Sequence, residues 1–339
     1  SAVSLNDVAS GRDLYKPYGL QVRKCPLTKK QRLEQYSRKI NIVQLPFYDK
    51  LCNPYVQETH FMRKITGKKF YTSLFMSCIS LFSACWLGGC EMIEYHPYDL
   101  DIDGETGIND KNTERIETAL EGKNEFSFIF ISDTQRWYDE TADAVAAINR
   151  LKGVDFVIHG GDLSDFGMKL EFELQRDILN KLQVPYVCLL GNHDCLATGE
   201  EVFLSVFGER NFSFNAGDTH FVCLNTNALE FDYSEAVPDL AYMEIDSNGL
   251  PEGITRTIAV MHAAPFTEQF NNNIARVFQH YIKEYPALQF CLAGHTHNLA
   301  VEDIFDDGTL YYTAPSIKKR TLMRFTFTSN GYDYETIPF

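Results

Sequence analysis

Phe126-Ser127-Phe128-Ile129-Phe130-Ile131-Ser132-Asp133-Thr134-Gln135 decides how this chain is read. Its first six residues are apolar but for one serine, as in a strand buried on both faces, and the run then breaks into polar side chains. Four later segments repeat the plan. Residues 154–158 lead to Gly161-Asp162, 185–190 to Gly191-Asn192-His193-Asp194, 257–261 to His262, and 288–293 to Gly294-His295-Thr296-His297. In open α/β sheets, ligands bind beyond the carboxyl ends of the strands, so these five ends can converge although they are far apart in sequence. Between the first three strands, residues 141–151 and 168–182 space their apolar side chains at three-to-four intervals, which predicts helices. The result is an α/β chain with a βαβαβ core.

The side chains at those ends form a donor set. The blocks Ser132-Asp133-Thr134-Gln135, Gly161-Asp162, Gly191-Asn192-His193-Asp194, Met261-His262 and Gly294-His295-Thr296-His297 offer carboxylate, amide oxygen and imidazole, and no thiolate. That mixture suits Mn, Fe or Zn in a reactive centre better than a Cys-rich structural zinc site. Two such ions about 3.5–4 Å apart can share a carboxylate and clamp a phosphate between them. Two Asp charges against two divalent cations leave the centre positive, so an anionic phosphate ester is its natural guest. Gly161, Gly191 and Gly294 each precede a ligand, where the chain must turn sharply and come close to an ion. Any one block alone is unspecific, since a histidine after a strand is usually structural; the five together in order are not.

The blocks resemble the signature of the calcineurin-like metallophosphoesterase superfamily: D-x-H, G-D, G-N-H-D/E, a lone His, and G-H-x-H. The resemblance covers roughly residues 125–300. It implies a two-sheet β-sandwich flanked by helices. It also implies two divalent metal ions (Mn, Fe or Zn), with Asp133, Gln135 and His297 holding one, Asn192, His262 and His295 the other, and Asp162 bridging them. By the same likeness a metal-bridging hydroxide is the nucleophile, and His193, oriented by Asp194, is the general acid. The chain departs from the commonest pattern at one position, with Gln135 where the family has His. An amide oxygen leaves the charge unchanged but makes that position harder and weaker, which predicts a shift toward Mn or Fe.

The front of the chain has a different character. Residues 1–89 carry 14 of the 31 Lys+Arg and 5 of the 46 Asp+Glu, a balance of +9, which leaves −24 of the overall −15 on residues 90–339. No methionine occurs before Met62, after which Arg63, Lys64, Lys68 and Lys69 precede an apolar run at 70–87 and then Leu87-Gly88-Gly89-Cys90. This resembles a bacterial lipoprotein signal peptide whose Cys90 receives the lipid. Thr72, Ser73, Ser77, Ser80 and Ser83 make the run poor as a stable span. The expected organisation is a non-native or upstream-translated segment at 1–61, a signal peptide at 62–89, a polar lead-in at 90–124 and a phosphoesterase domain at 125–339. That domain would be lipid-anchored in a bacterial cell envelope, periplasmic or surface-exposed. Within the lead-in, residues 99–110 imitate a calcium loop imperfectly, and a polar strand and turn is the simpler reading.

The acidic balance of residues 90–339 argues against nucleic acid as a partner, because phosphate contacts need Lys and Arg. A small phosphate ester is the easier substrate. Lys318-Lys319-Arg320 forms a basic cluster, read as a solvated turn; Arg136 and Trp137 follow the first block and are placed near phosphate or on the surface. His159 is expected in the core or behind the ligands. Cys188, Cys223 and Cys291 are read as buried free thiols, with a Cys188–Cys291 bridge as the alternative, and Cys195 as structural. After His297, short strands at 300–305, 309–313, 321–328 and 332–337 are expected to extend or cover the second sheet. A metal-binding module that hydrolyses poorly is the competing functional reading.

Overall fold

The computed structural model describes residues 100–231 and 234–339, so the signal-like region and Cys90 lie outside the described residues. Two sheets face each other. β1 (Phe126–Ile131), β2 (Phe156–His159) and β3 (Tyr186–Cys188) run parallel, joined by α2 (Tyr138–Ile148) and α3 (Lys169–Leu179). α1 (Ile108–Leu120) precedes them, and α4 (Gly199–Val206) follows. The second sheet contains β4 (Phe212–Ala216), β5 (Thr219–Leu224), β6 (Arg256–Met261), β7 (Leu288–Ala293), β8 (Ala300–Glu302) and β9 (Tyr311–Thr313), in the order β4-β5-β6-β7-β9-β8. α5 (Leu240–Asn248) and α6 (Ala275–Glu284) belong to this half. β10 (Thr321–Thr328) and β11 (Gly331–Pro338) return to the first sheet, whose order is β11-β10-β1-β2-β3.

Alternation along β1 explains the layers. Phe126, Phe128 and Phe130 face a core shared with Phe221, Ile258 and Phe290 of the second sheet, while Ile129 and Ile131 face the helices beside Ala144, Ile148 and Phe172. Phe128 stacks on Phe156 at 5.2 Å and on Phe325 at 5.2 Å and meets Phe221 edge-on at 5.4 Å. Each such ring, fully buried, contributes roughly 1.5–3 kcal/mol. A third cluster seats α5 and α6 on the outer face of the second sheet through Met243, Phe278 and Ile282. The expected helix-flanked sandwich is therefore present, and it holds five strand ends rigidly at one rim.

Two expectations need correction. β10 and β11 extend the first sheet instead of the second, because β10 pairs antiparallel with β1, from Phe126↔Phe327 to Phe130↔Met323, and so places Phe325 and Phe327 in the shared core. The lead-in contains a helix. α1 closes the exposed edge of β3: Asn109 donates to the Cys188 carbonyl (2.8 Å) and accepts from its N–H (2.9 Å), and Asn112 donates to the Tyr186 carbonyl (2.7 Å). Covering an edge in this way removes a site for unwanted strand pairing. Asp110, the last residue of the calcium-loop imitation, lies in the first turn of this helix. The thiols of Cys188 and Cys291 are buried and free, as expected, and the alternative bridge between them does not form. Cys188 packs with the helices of the first sheet and Cys291 with those of the second.

Candidate metal centre

The strand ends deliver the candidate ligands through strained backbone. Asp133 (φ 56°), Gln135 (36°), Asp162 (61°), His295 (67°) and His297 (60°) are all left-handed. Such conformations cost of order 1–3 kcal/mol per non-glycine residue and persist where surrounding structure enforces them, often at functional sites. Enforcement is visible in the hydrogen bonds. Asp133 N–H donates to the Gly161 carbonyl (3.0 Å), Gln135 N–H to the Asp162 carbonyl (3.0 Å), and Gly294 N–H to the His262 carbonyl (2.9 Å). Glycine is required where the loops cross: a Cβ on Gly191 would overlap the Asp162 backbone, and one on Gly161 would lie 2.7 Å from His262 Nδ1.

Two groups of side chains meet around Asp162. In the first, Asn192 Oδ1 lies 3.1 Å from His262 Nε2 and 2.9 Å from His295 Nδ1. His262 Nδ1–H donates to the Gly160 carbonyl at 2.8 Å, so Nε2 keeps its lone pair for the centre. His262 Nε2 is also 3.4 Å from Asp162 Oδ1. In the second group, Gln135 Nε2 donates to Asp162 Oδ2 (3.0 Å) and His297 Nε2 is 3.2 Å from Asp133 Oδ1. Ligand atoms of Asp133, Asp162 and His262 all lie within 4.8 Å of one another, and all three residues are buried.

These residues fit divalent cations. Asp133 Oδ1 is buried and lacks a partner of hydrogen-bonding geometry, with His297 Nε2 facing it at 3.2 Å, so an ion would satisfy it. Burial raises the Asp162 carboxyl above its ordinary value, a cost that a cation offsets. Burial also works upward on Asp133, but the His297 and His262 imidazoles beside it outweigh it and hold that group low. His295 is pushed down to about 4 by burial and by His262, leaving the neutral imidazole that metal binding requires.

His193 reaches the same rim with its ring oriented differently from the expectation. Nδ1–H donates to the Asp165 carbonyl at 2.9 Å, so Asp165, not Asp194, orients the imidazole. Asp194 instead fixes the loop, accepting from Leu163 N–H (3.2 Å), Gly191 N–H (2.9 Å), Ser164 N–H (2.7 Å) and Ser164 Oγ–H (2.8 Å). Arg136 pairs with the Asp165 carboxylate at 2.5 Å. Burial, the largest influence on His193, lowers its pKa; Asp162 and the Asp165 carbonyl outweigh it and raise the group overall.

Supporting residues complete the frame. His159 is buried behind the ligands as expected: Gly161 N–H donates to Nδ1 (3.2 Å), Nε2–H donates to Thr134 Oγ1 (2.9 Å), and burial pushes its pKa down to about 3. The sequence reading missed Gln175, which donates from α3 to the Gln135 carbonyl (2.7 Å), and Thr226, which accepts from Ala263 N–H (3.0 Å). Gln175 shares the buried side of its helix with Glu171 and Arg176 as well as Phe172 and Leu179, so its polarity carries no distinguishing sequence signal. Cys195 donates to the Gly191 carbonyl at 3.4 Å, a structural role.

Comparison with known proteins points the same way. A family model described as calcineurin-like phosphoesterase matches residues 126–299. A 3',5'-cyclic-nucleotide phosphodiesterase of Nostoc sp. is 26% identical over 183 residues, which make up 50% of this chain and 68% of that protein. Among solved structures, a dimetal phosphatase from Danio rerio is 14% identical, covering 63% of this chain and 98% of its own at a TM-score of 0.49. A purple acid phosphatase from yellow lupin seeds is also 14% identical, covering 64% and 55%, at 0.46.

Proposed function

This chain belongs to the calcineurin-like phosphoesterase family and is by that membership a metallophosphoesterase; from that premise we propose that it hydrolyses small phosphoric esters at a dinuclear centre. The observation that carries the proposal is the meeting of Gln135, His262 and His193 on the single buried carboxylate of Asp162, with Asn192, His295, Asp133 and His297 around it. Asp133, Gln135 and His297 would hold one ion, Asn192, His262 and His295 the other, with Asp162 between them. When bound, two divalent ions supply Lewis acidity toward phosphate oxygens and make water nucleophilic near neutral pH.

The chain's own residues do the rest. Hydrolysis forms a P–O bond to water and breaks the P–O bond to the leaving group, whose oxygen needs a proton. His193 is suited to give it. With Nδ1–H held by the Asp165 carbonyl, the imidazolium directs its Nε2 proton elsewhere, and the upward shift of its pKa by Asp162 and the Asp165 carbonyl favours the protonated form. Arg136 and Asp165 position the ring, and Asp162 accepts the His193 backbone N–H at 3.0 Å, tying acid and centre together.

The name of the Nostoc relative favours a phosphodiester over a monoester as substrate. Hydrolysis of aryl phosphate mono- and diesters by metal-stripped protein reloaded with Mn, Fe or Zn tests the proposal against Asp162→Asn. Turnover lost in the variant supports it; tight metal binding with turnover of neither ester favours the metal-binding module instead. We further infer a lipid on Cys90 and residence in a bacterial cell envelope, supported by the Leu87-Gly88-Gly89-Cys90 sequence after its apolar run. Metabolic labelling with a fatty-acid analogue should mark the protein and fail to mark Cys90→Ser; equal labelling of both contradicts it. Among the described residues no helix is long and apolar enough to cross a membrane.

A further inference from the structure

Lys318-Lys319-Arg320 is the only run of adjacent basic residues in the acidic 250 residues from Cys90 onward. The fold brings it to the metal centre. Ser316 bridges to Ser132, and its hydroxyl donates to the Asp133 carbonyl at 3.0 Å, so the following turn, Ile317–Lys319, leaves directly from beside a metal-ligand candidate. Lys319 Nζ donates to Asn298 Oδ1 at 2.7 Å, one residue past His297. Lys318 Nζ sits 4.2 Å from the centroid of the Trp137 ring, two residues past Gln135. The two lysines thus follow a segment anchored beside Asp133, one held against the residue after His297 and the other against Trp137, two residues past Gln135.

Their partners set them apart from the third member of the run. Arg320 pairs with Asp143 at 2.8 Å and donates to the Phe339 carbonyl at 3.0 Å. Lys318 and Lys319 rest on a neutral ring and a neutral amide, and neither is paired with a carboxylate among the described residues. Both are exposed. The described domain is strongly acidic and repels anionic substrates at long range, so two uncompensated cations at the rim locally reverse that field. Scissile phosphate needs no help from them once the ions are bound. A cation pair beyond the ligands serves charge carried elsewhere on the substrate.

We propose that Lys318 and Lys319 form a subsite for a second anionic group, carboxylate or phosphate, on the organic part of the phosphoester. This rests on the phosphoesterase reading and narrows it to substrates with charge at both ends. Trp137, held beneath Lys318, supplies an apolar face next to that charge.

The test uses two p-nitrophenyl phosphodiesters that differ only in the second substituent, an alkyl chain ending in carboxylate or in the isosteric carboxamide. Wild-type protein should favour the carboxylate in kcat/KM by roughly three- to fivefold, the range of exposed ion pairs, through KM rather than kcat, and the preference should shrink with added salt. Lys318→Gln with Lys319→Gln should abolish the preference, Lys318→Arg with Lys319→Arg should restore it, and Arg320→Gln should keep it. Calorimetric binding of the same two esters gives a second readout. If neither ester is turned over, the phosphoesterase reading falls while binding still decides the subsite. Equal handling of the two esters by wild type, or a preference surviving the double Gln variant, overturns the proposal.

Discussion

At one end of the centre His262 is fully buried, with Nδ1 tied to the Gly160 carbonyl and Nε2 aimed at Asn192. At the other end His297 leaves 44% of its side chain exposed, rests on Asp133, and has as neighbour a glutamine whose amide is engaged with Asp162. The first end is set by the fold before any ion arrives. The second takes its shape from the ion as well, since Gln135 must turn its oxygen inward to ligate. Preorganisation makes binding tighter because less order is imposed on association. On the proposed ligand assignment the two ends should differ in affinity, with the Asn192–His262–His295 end expected to fill first.

The largest expected effect comes from the residue common to both ends. Asp162→Asn should lower turnover by two to three orders of magnitude, roughly the cost of losing a key electrostatic group, and should weaken both ions in a metal titration. A variant that kept one ion at wild-type affinity would show that Asp162 serves a single end. His262→Ala should remove the tighter ion and leave the weaker one, as read by bound-metal stoichiometry. Gly161→Ala should weaken the same end about 10- to 100-fold through the displaced His262, whose Nδ1 the new Cβ would crowd.

Gln135→His should work the other way, tightening the exposed end for Zn by an amount on the order of tenfold, with Mn gaining less. Equal gain at both ends would contradict the asymmetry. The smallest effect on the centre is expected from Asp246, far from it in the second sheet's network. Its carboxyl accepts from Ser213 (2.6 Å), His220 (2.9 Å) and Tyr285 (2.9 Å); burial, the largest influence, pushes its pKa up, and these bonds together hold it below the ordinary value. A lowered folded value adds stability that is present above the unfolded pKa of about 3.9 and is lost as pH falls through the folded one. Asp246→Asn should cost about 1–3 kcal/mol at neutral pH, flatten the acid side of the stability profile, and leave metal affinity untouched.

Much of this comparison was visible in the residues alone, and the reason is local. A strand buried on both faces followed by a glycine or a polar ligand is a short-range pattern, and β1, β2, β3, β6 and β7 all carry it. The ligand types followed from donor chemistry. What escaped depends on tertiary neighbours: Asp194 beside His193 in sequence turns instead into the 163–164 loop, and Asp165, far along the chain from that ring, supplies the carbonyl that orients it. The sheet that β10 joins is fixed by antiparallel pairing with β1, about 200 residues earlier, which an alternating pattern cannot specify. Helix α1 was hidden because it buries only a few apolar residues and docks through the amides of Asn109 and Asn112. Lys318 and Lys319 read as a solvated turn until the fold set them beside Asn298 and Trp137.

Titrating metal-free protein with Mn while following diester hydrolysis decides whether the centre takes two ions at unequal ends. Two equivalents should bind, the first tightly and the second more weakly, with turnover rising along the second. Full activity at one equivalent, or two bound ions without turnover of any ester, would contradict a dinuclear phosphoesterase with unequal ends.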